Sequence, residues 1–358
     1  MFNFFRKSAL GLDISDYSIE IISLGGSLEK PKLFALSRAV LEPGIVEDGK
    51  IIQKEKLVDR LRALIEKPKF GKIKTKQFIF ALPESKTFIH FFEFPEALER
   101  EKIEKEIEFE AIRNFPFPLK DLCFNFKINN KEVFLVAAQK DIVEDYLGIF
   151  KNLKLQPIAL ETESISLDRS LIGKDEETVL IADIGARTTN FSIFAKKQLR
   201  LSISIDIAGN KFTQSLAEKL NISFQEAENL KKEVGLNPEL KEGKVFLILQ
   251  KEIQGIISEI KKIEDYFQKK EQKIIEKIIL AGGSAVLPRL ADYLTENLEK
   301  PVFIGDPWKK INIDILRKKE YFEKALEINP ILYSTVIGSA LRGLVKNPAE
   351  AGINLLPK

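Results

Sequence analysis

Leu12-Asp13-Ile14-Ser15-Asp16-Tyr17-Ser18-Ile19, near the start of the chain, is echoed by Ala182-Asp183-Ile184-Gly185-Ala186-Arg187-Thr188-Thr189 near its middle. In each copy an apolar, strand-like run delivers an aspartate at its end. A turn of small residues follows, and a second strand-like run leaves the turn. One such stretch is weak evidence. Two, each followed by a similar order of strands and helices, predict a duplicated lobe with a nucleotide cleft between the halves.

Outward from the first copy, strands are expected at 9–14, 18–24 and 32–41, joined by turns bearing Gly and Ser. A helix follows at 54–66 and a strand at 77–82. From the second copy, 178–183, 190–195 and 199–206 read as a meander, with helices from Asn210 onward. A meander, helix, strand and helix occurring twice is the pattern of two related α/β lobes. Between them, 98–113 reads as a charged helix with apolar positions at Ile103, Ile107, Phe109 and Ile112. Asn114-Phe115-Pro116-Phe117-Pro118-Leu119 ends it, because proline lacks the amide donor and biases its predecessor out of the helical region. Strands at 122–128 and 132–138 and a helix at 142–152 complete a compact α+β insert. The Phe-Pro-Phe-Pro stretch is expected as a packed loop in preference to a peptide-docking edge.

The expected division is thus a first lobe at 1–83, the insert at 84–157, a second lobe at 158–346 and a tail at 347–358, with the final helix (334–345) free to return to the first lobe. Within the second lobe, Ser223-Phe224-Gln225-Glu226 has the form of a capping box. Residues 243–270 read as one long helix and 278–284 as a strand entering a turn. Residues 285–297 read as a helix with Pro288 in its first turn.

Composition narrows the function. The 358 residues, 44% apolar, suffice for two cores. Lys+Arg (56) and Asp+Glu (53) nearly cancel, which argues against a nucleic-acid binder. The single Cys123 excludes an internal disulfide framework and fits a reducing compartment. One cysteine and one histidine, His90, supply neither a zinc site nor a Ser-His-Asp triad with any redundancy; His90 reads as a strand residue on a polar side. No run approaches ~20 apolar residues, so no membrane span is expected. The apolar-then-basic start at 1–7 is broken off by Asp13, unlike a secretory signal, and is expected to pack on the first strand.

An aspartate at a strand end beside a turn of small residues suits a nucleotide. Its carboxylate holds the hydration shell of Mg²⁺, and small residues let backbone amides approach phosphates. Asp13, Ser15 and Ser18 in the first loop, and Asp183, Gly185, Thr188 and Thr189 in the second, are the candidates. Gly282, Gly283 and Ser284, after an apolar strand, would admit an adenosine against bare backbone. The plain alternative for each glycine is a tight turn with no ligand.

With these motifs in hand, the chain resembles the PilM family of actin-like type IV pilus assembly proteins, itself similar to the cell-division protein FtsA. The resemblance covers almost the whole length. It rests on Leu10-Gly11-Leu12-Asp13-Ile14, Asp183–Asn190, Ile207-Ala208-Gly209-Asn210-Lys211-Phe212-Thr213, Leu280–Pro288 and Ile337–Leu344, and on Phe115–Leu119 and Val136-Ala137-Ala138 in the insert. It implies an actin-like (ribonuclease H-like) duplicated two-lobe α/β fold with an α+β insert on the first lobe, and ATP with Mg²⁺ as cofactors. By the same resemblance, Asp13 and Asp183 would face Mg²⁺ through water, Gly209 would sit near the phosphates, and Glu228 and Lys231 would flank the adenine. The plain reading of the last two is a solvated helix pair worth a few tenths of a kcal/mol. Glu163 would orient an attacking water. The implied partner is a PilN-like inner-membrane protein, gripped through a short N-terminal peptide in a groove beside the insert, which would keep this chain cytoplasmic and peripheral at the inner membrane.

Two departures stand out. Ser15 adds a Cβ where the family commonly has glycine, and Glu20 stands where lysine is common. Asp13, Asp16 and Glu20 make the first loop acidic, which repels a triphosphate unless a cation compensates. The tail carries Ile353-Asn354-Leu355-Leu356-Pro357, which is similar to the PilN peptide itself. It would fold back into its own groove, enter a neighbour's groove and build an assembly, or simply pack down as a terminal strand. The combined expectation is a nucleotide-binding pilus or secretion platform component whose lobe closure biases the peptide groove. A nucleotide-free scaffold, a superfamily small-molecule kinase and an FtsA-like division protein are the alternatives. Weak ATPase activity is left open.

Overall fold

The computed structural model describes residues 8–94, 100–129, 131–173 and 177–357. The expected packing of residues 1–7 and the first two residues of the helix expected from 98 lie outside them. The chain forms two compact units, 1–170 with 307–358, and 171–306.

The first unit opens with the antiparallel meander β1 (Ser8–Ile14), β2 (Ser18–Gly26) and β3 (Pro31–Val40). The small hairpin β4 (Val46–Glu47) and β5 (Lys50–Ile51) leads into helix α1 (Lys54–Glu66), then β6 (Phe70–Gly71) and β7 (Gln77–Leu82). The insert comprises β8 (Thr87–Glu93), α2 (Arg100–Asn114), β9 (Leu122–Asn129), β10 (Glu132–Gln139) and α3 (Lys140–Asn152). Strand β11 (Gln156–Thr162) and the short α4 (Glu163–Leu167) follow. The main sheet has the order β11-β7-β1-β2-β3-β6, with β1, β7 and β11 parallel. Alternation along β1 assigns its two faces. Leu10, Leu12 and Ile14 enter the core shared with Leu57 and Leu61 of α1 and Tyr146 and Phe150 of α3, while Ala9 joins the opposite core.

The insert sheet, β8-β10-β9, is two-sided. Val133, Leu135 and Ala137 pack against Ile107, Ala111 and Phe115, whereas Val136, Ala138 and Cys123 join the main sheet's core. Phe115 and Phe117 lie 5.8 and 5.6 Å from Phe88, ring centre to ring centre, so the Phe-Pro-Phe-Pro stretch is a packed loop. His90 faces Glu110 of α2, with Nε2 3.1 Å from the carboxylate.

The second unit holds the five-stranded sheet β14-β13-β12-β15-β16, built from β12 (Val179–Ile184), β13 (Thr189–Ala195), β14 (Gln198–Ile205), β15 (Lys277–Ala281) and β16 (Val302–Ile304). Its helices are α5 (Gly209–Leu220), α6 (Phe224–Val234), α7 (Lys244–Glu271) and α8 (Leu290–Leu298). The capping box is present: Ser223 Oγ accepts from the Glu226 amide, and Glu226 accepts from the Ser223 amide. The helix expected over 285–297 begins only at Leu290. Residues 282–289 form successive turns, Arg289 is left-handed, and the Pro288 carbonyl accepts from Leu236. Pro288 therefore precedes the helix and is not in its first turn.

The chain then returns to the first unit with α9 (Phe322–Leu326) and α10 (Ser334–Arg342). Helix α10 packs closely on β1 at Gly11 and on α4 at Gly338. A Cβ on Gly11 would lie 2.1 Å from the Val336 carbonyl oxygen, and one on Gly338 would lie 1.8 Å from that of Ser166. The sheet pairing also redraws the boundary expected at 158 and 346. Strand β11 bonds in parallel to β7, and residues 307–346 cover the first sheet, so both belong to the first unit.

Candidate functional site

In the second unit, β12 ends at Asp183–Ile184 and the loop 185–188 turns into β13. The Gly185 amide donates to the Thr188 carbonyl at 3.0 Å and closes the turn. Two further segments are tied to this loop. Gly209 and Asn210, at the start of α5, donate through their amides to the carbonyls of Gly185 (3.1 Å) and Ala186 (2.7 Å). Ser284 bonds through its amide to the Ile184 carbonyl (3.0 Å) and through its hydroxyl to the Gly185 carbonyl (3.3 Å). Thr189 Oγ1 donates to the Ile207 carbonyl at 2.6 Å, fastening the next strand to the segment before α5. Gly282 has φ of +80°, and a Cβ there would lie 2.4 Å from Asp183 Oδ1, so only glycine lets this turn pass the carboxylate. Gly283 is exposed at the tip. A Cβ on Gly209 would meet Ser284 Oγ at 2.5 Å. The structure thus brings Asp183, Gly185, Thr188, Thr189, Gly209, Gly282, Gly283 and Ser284 into one constellation.

Behind it, Lys231 is a brace. Its Nζ donates to the Gly209 carbonyl (2.9 Å) and Thr213 Oγ1 (2.7 Å), and pairs with Glu228 Oε2 at 2.6 Å. Thr213 also donates to Glu228. Burial pushes the Glu228 carboxyl up, but its bonds from Lys231 and Thr213 outweigh that and leave it below its usual value. Burial pulls Lys231 down, against the pull of Glu228. The pair expected as adenine contacts therefore joins α6 to the N-terminus of α5. Thr213, which closes the Ile207–Thr213 motif but had no role assigned to it, completes the brace.

The first loop is built differently. The Ser15 amide donates to the Ser18 carbonyl at 2.9 Å, as in the second loop. Ser15 Oγ then accepts from the amides of Tyr17 (3.2 Å) and Ser18 (3.0 Å) and donates to the Ser18 carbonyl at 3.2 Å. The Asp16 carboxylate accepts the amides of Asp48 and Gly49, both at 2.8 Å. Glu20 does have its cation. It lies opposite Arg38 in the β2–β3 register and pairs with it at 2.6 Å. Burial raises the Glu20 carboxyl and Arg38 opposes that shift. The acidity expected to repel a triphosphate is thus partly neutralised within the sheet, a pairing visible only once the register is known.

The parallel strands β1, β7 and β11 place Asp13, Glu84 and Glu163 at one sheet end. Glu163 Oε2 accepts from the Glu84 amide (3.1 Å), and Glu84 Oε2 accepts from the Ser164 amide (3.0 Å). Burial, and then the charges of Asp16, Glu163, Asp13 and Asp145, push the Tyr146 phenol up. Its hydroxyl donates to the Gly49 carbonyl at 3.1 Å. Glu163 accordingly fastens α4 to the segment after β7.

The tail lies against the outer edge of β11, in the first unit. Ile353 and Leu355 are each 1% exposed, and with Leu356 they share a core with Leu160 of β11 and with Ile89, Phe134 and Val136 of the insert. The Leu160 amide donates to Asn354 Oδ1 at 3.1 Å, and the Leu355 amide donates to the Leu160 carbonyl at 2.9 Å. Pro357 ends the described chain.

A family model, type IV pilus assembly protein PilM, matches residues 11–344. The chain belongs to the PilM family. Among solved structures, the PilM-PilN type IV pilus biogenesis complex matches with a TM-score of 0.80 at 22% identity, over 94% of this chain and 98% of that one. MreB5 of Spiroplasma citri bound to AMPPNP matches with a TM-score of 0.52 at 14% identity, over 93% and 94%. These likenesses establish the actin-like fold. The cell division protein FtsA of Bacillus subtilis is 24% identical over an alignment of 201 residues that covers 48% of this chain and 44% of FtsA, so the match spans less than half of that relative. Among the described residues, no helix is long and apolar enough to cross a membrane.

Proposed function

We propose that this PilM-family protein is a nucleotide-binding component of a type IV pilus, or related secretion, platform at the inner membrane. The carrying observation is the constellation in the second unit, where three backbone turns meet beside Asp183 and two of them tolerate no side chain. Such a cradle suits phosphate, and the residues present fit ATP. Gly185, Thr188 and Thr189 border the phosphates, Gly209 lets them approach, and Gly282, Gly283 and Ser284 border the nucleoside. Asp183 is the carboxylate that would hold hydrated Mg²⁺, which would neutralise phosphate charge; Asp13 is the matching aspartate of the first unit's own loop. Ser15 and Ser18 serve the first loop. Glu163 is our candidate to orient a water in any hydrolysis. The MreB5 structure bound to AMPPNP supports the same assignment.

The partner reading rests on the PilM-PilN complex and on the apolar seam between the insert and β11. There the protein takes the short N-terminal peptide of a PilN-like inner-membrane protein, which holds it peripherally at the membrane. The test of the nucleotide reading is the thermal melt with and without Mg-ATP. Ligand at ~100 times its Kd adds about 2.7 kcal/mol of stability. An unchanged melting temperature at millimolar Mg-ATP would leave a scaffold of actin-like shape.

A further inference from the structure

The outer edge of β11 is a sheet edge, and such an edge presents amides and carbonyls that require partners. The tail meets that need without forming a strand. Asn354 is the central residue: Oδ1 accepts from the Leu160 amide, and Nδ2 donates to the Ile158 carbonyl at 3.3 Å. The side-chain amide thus takes the place of a peptide unit, with both its donor and its acceptor used on alternate residues of one edge. One backbone bond, Leu355 to Leu160, completes the attachment, and Ile353 and Leu355 fill the apolar seam on either side of the asparagine.

Under the tail sits a charge cluster. Glu161 is fully buried and pairs with two cations, Arg169 and Arg342, the second at 2.6 Å. Arg342 is itself 1% exposed, and one carboxylate cannot accept from all the donors of two guanidiniums. The tail supplies the balance. Arg342 donates to the carbonyls of Pro348 (2.8 Å), Ile353 (2.5 Å) and Ala349 (3.4 Å). From the insert, Lys127 reaches the Ala351 carbonyl at 3.5 Å. The seat therefore reads two features of an extended peptide, an asparagine by the β11 backbone and main-chain carbonyls by Arg342.

We propose that residues 348–357 are a built-in occupant of the partner seat, a strap that a partner peptide of the same Ile-Asn-Leu-Leu pattern must displace. The proposal deepens the partner reading above and rests on it. Asparagine is specified because aspartate lacks the donor for the Ile158 carbonyl, and leucine lacks both groups. The attachment uses one strand residue for backbone pairing, so exchange requires no unzipping of a ladder.

The test uses the full chain and its Asn354→Ala variant, each titrated with a fluorescent peptide of sequence Ala-Gly-Ile-Asn-Leu-Leu-Pro and read by anisotropy. The variant weakens the strap and leaves Arg342 its carbonyl partners. We expect it to bind the peptide at least about tenfold more tightly than the wild-type chain, the equivalent of one lost hydrogen bond in the strap. A peptide with aspartate at the asparagine position should bind the variant at least tenfold more weakly. Equal peptide affinity for the two chains would overturn the strap and leave the peptide site standing. No binding to either chain would overturn both. A concentration-dependent dimer of the wild-type chain in sedimentation, abolished by Asn354→Ala, would replace the cis assignment with exchange of tails between copies.

Discussion

The loops at 15–18 and 185–188 begin from one plan and part at one atom. Each follows a strand that ends in Asp-Ile, and each closes with an amide-to-carbonyl bond across three residues, Ser15 to Ser18 and Gly185 to Thr188. Ser15 then turns its hydroxyl inward and takes the amides of Tyr17 and Ser18. Gly185 has no side chain with which to do the same, and its carbonyl instead ties the loop to Gly209 and Ser284. The first loop is satisfied by itself; the second is satisfied by its neighbours. A phosphate seeks amide donors, so under the proposed nucleotide reading the first turn is the closed one and the second is the one to offer its amides to an anion.

The largest expected effect comes from the aspartates that precede the loops. Asp183→Ala should weaken Mg-ATP binding about 10- to 100-fold, the range seen when a group orienting a metal's shell is lost. Asp13→Ala should cost less, because the loop beside it has its amides occupied. Isothermal calorimetry of both variants decides this, and an equal loss would abolish the asymmetry. Exchange of the differing atom comes next. Gly185→Ser gives the second loop the hydroxyl of the first and should cost roughly tenfold in affinity, since one bond from an amide to a charged phosphate is worth about 1.5–3 kcal/mol. The converse Ser15→Gly releases two amides and should tighten binding by less than tenfold, at a stability cost of roughly 0.5–1 kcal/mol for the added backbone freedom. If both substitutions weaken binding, the Ser15 hydroxyl contacts the nucleotide and the first loop is not closed.

How much of this was legible beforehand follows from which interactions are local. The duplicated Asp-Ile turns, the meanders and the Ser223–Glu226 capping box depend on residues a few positions apart, and spacing reveals them. Glu20 reads as an uncompensated acid because its partner Arg38 is a strand away, and the pairing needs the register of β2 on β3. Likewise Glu84 and Glu163 fasten each other across 79 positions, and Lys231 looks like half of a surface pair until α6 is packed behind Gly209. The helix expected from 285 starts five residues late, after the left-handed Arg289, and the Pro288 carbonyl is taken by the amide of Leu236, which is far away in sequence. Arg342 lay in the Ile337–Leu344 motif with no role attached to it. Its burial is explained only by Glu161 and by carbonyls of the tail.

The smallest effect concerns the brace behind the second loop, which has no counterpart described for the first. Glu228 keeps its carboxyl below the usual value of 4.5, because bonds from Lys231 and Thr213 outweigh the burial that would raise it. A folded-state value below the unfolded one means that the unfolded chain binds the proton more readily at acid pH. The stabilisation is therefore fully present above the usual carboxylate value and is lost as pH falls through the depressed one. Melting temperatures of the wild type and Glu228→Gln should differ by a constant amount from pH 7 to about pH 5.5, with the wild type higher, and converge as pH falls through the depressed carboxyl value. The difference should be modest, since Glu228 is partly open to solvent and screened. A gap that persists unchanged to pH 3 would mean that Lys231 holds Gly209 and Thr213 without the carboxylate. The second loop would then be held by the bonds that the Ile184, Gly185 and Ala186 carbonyls accept from Gly209, Asn210 and Ser284, without help from Glu228.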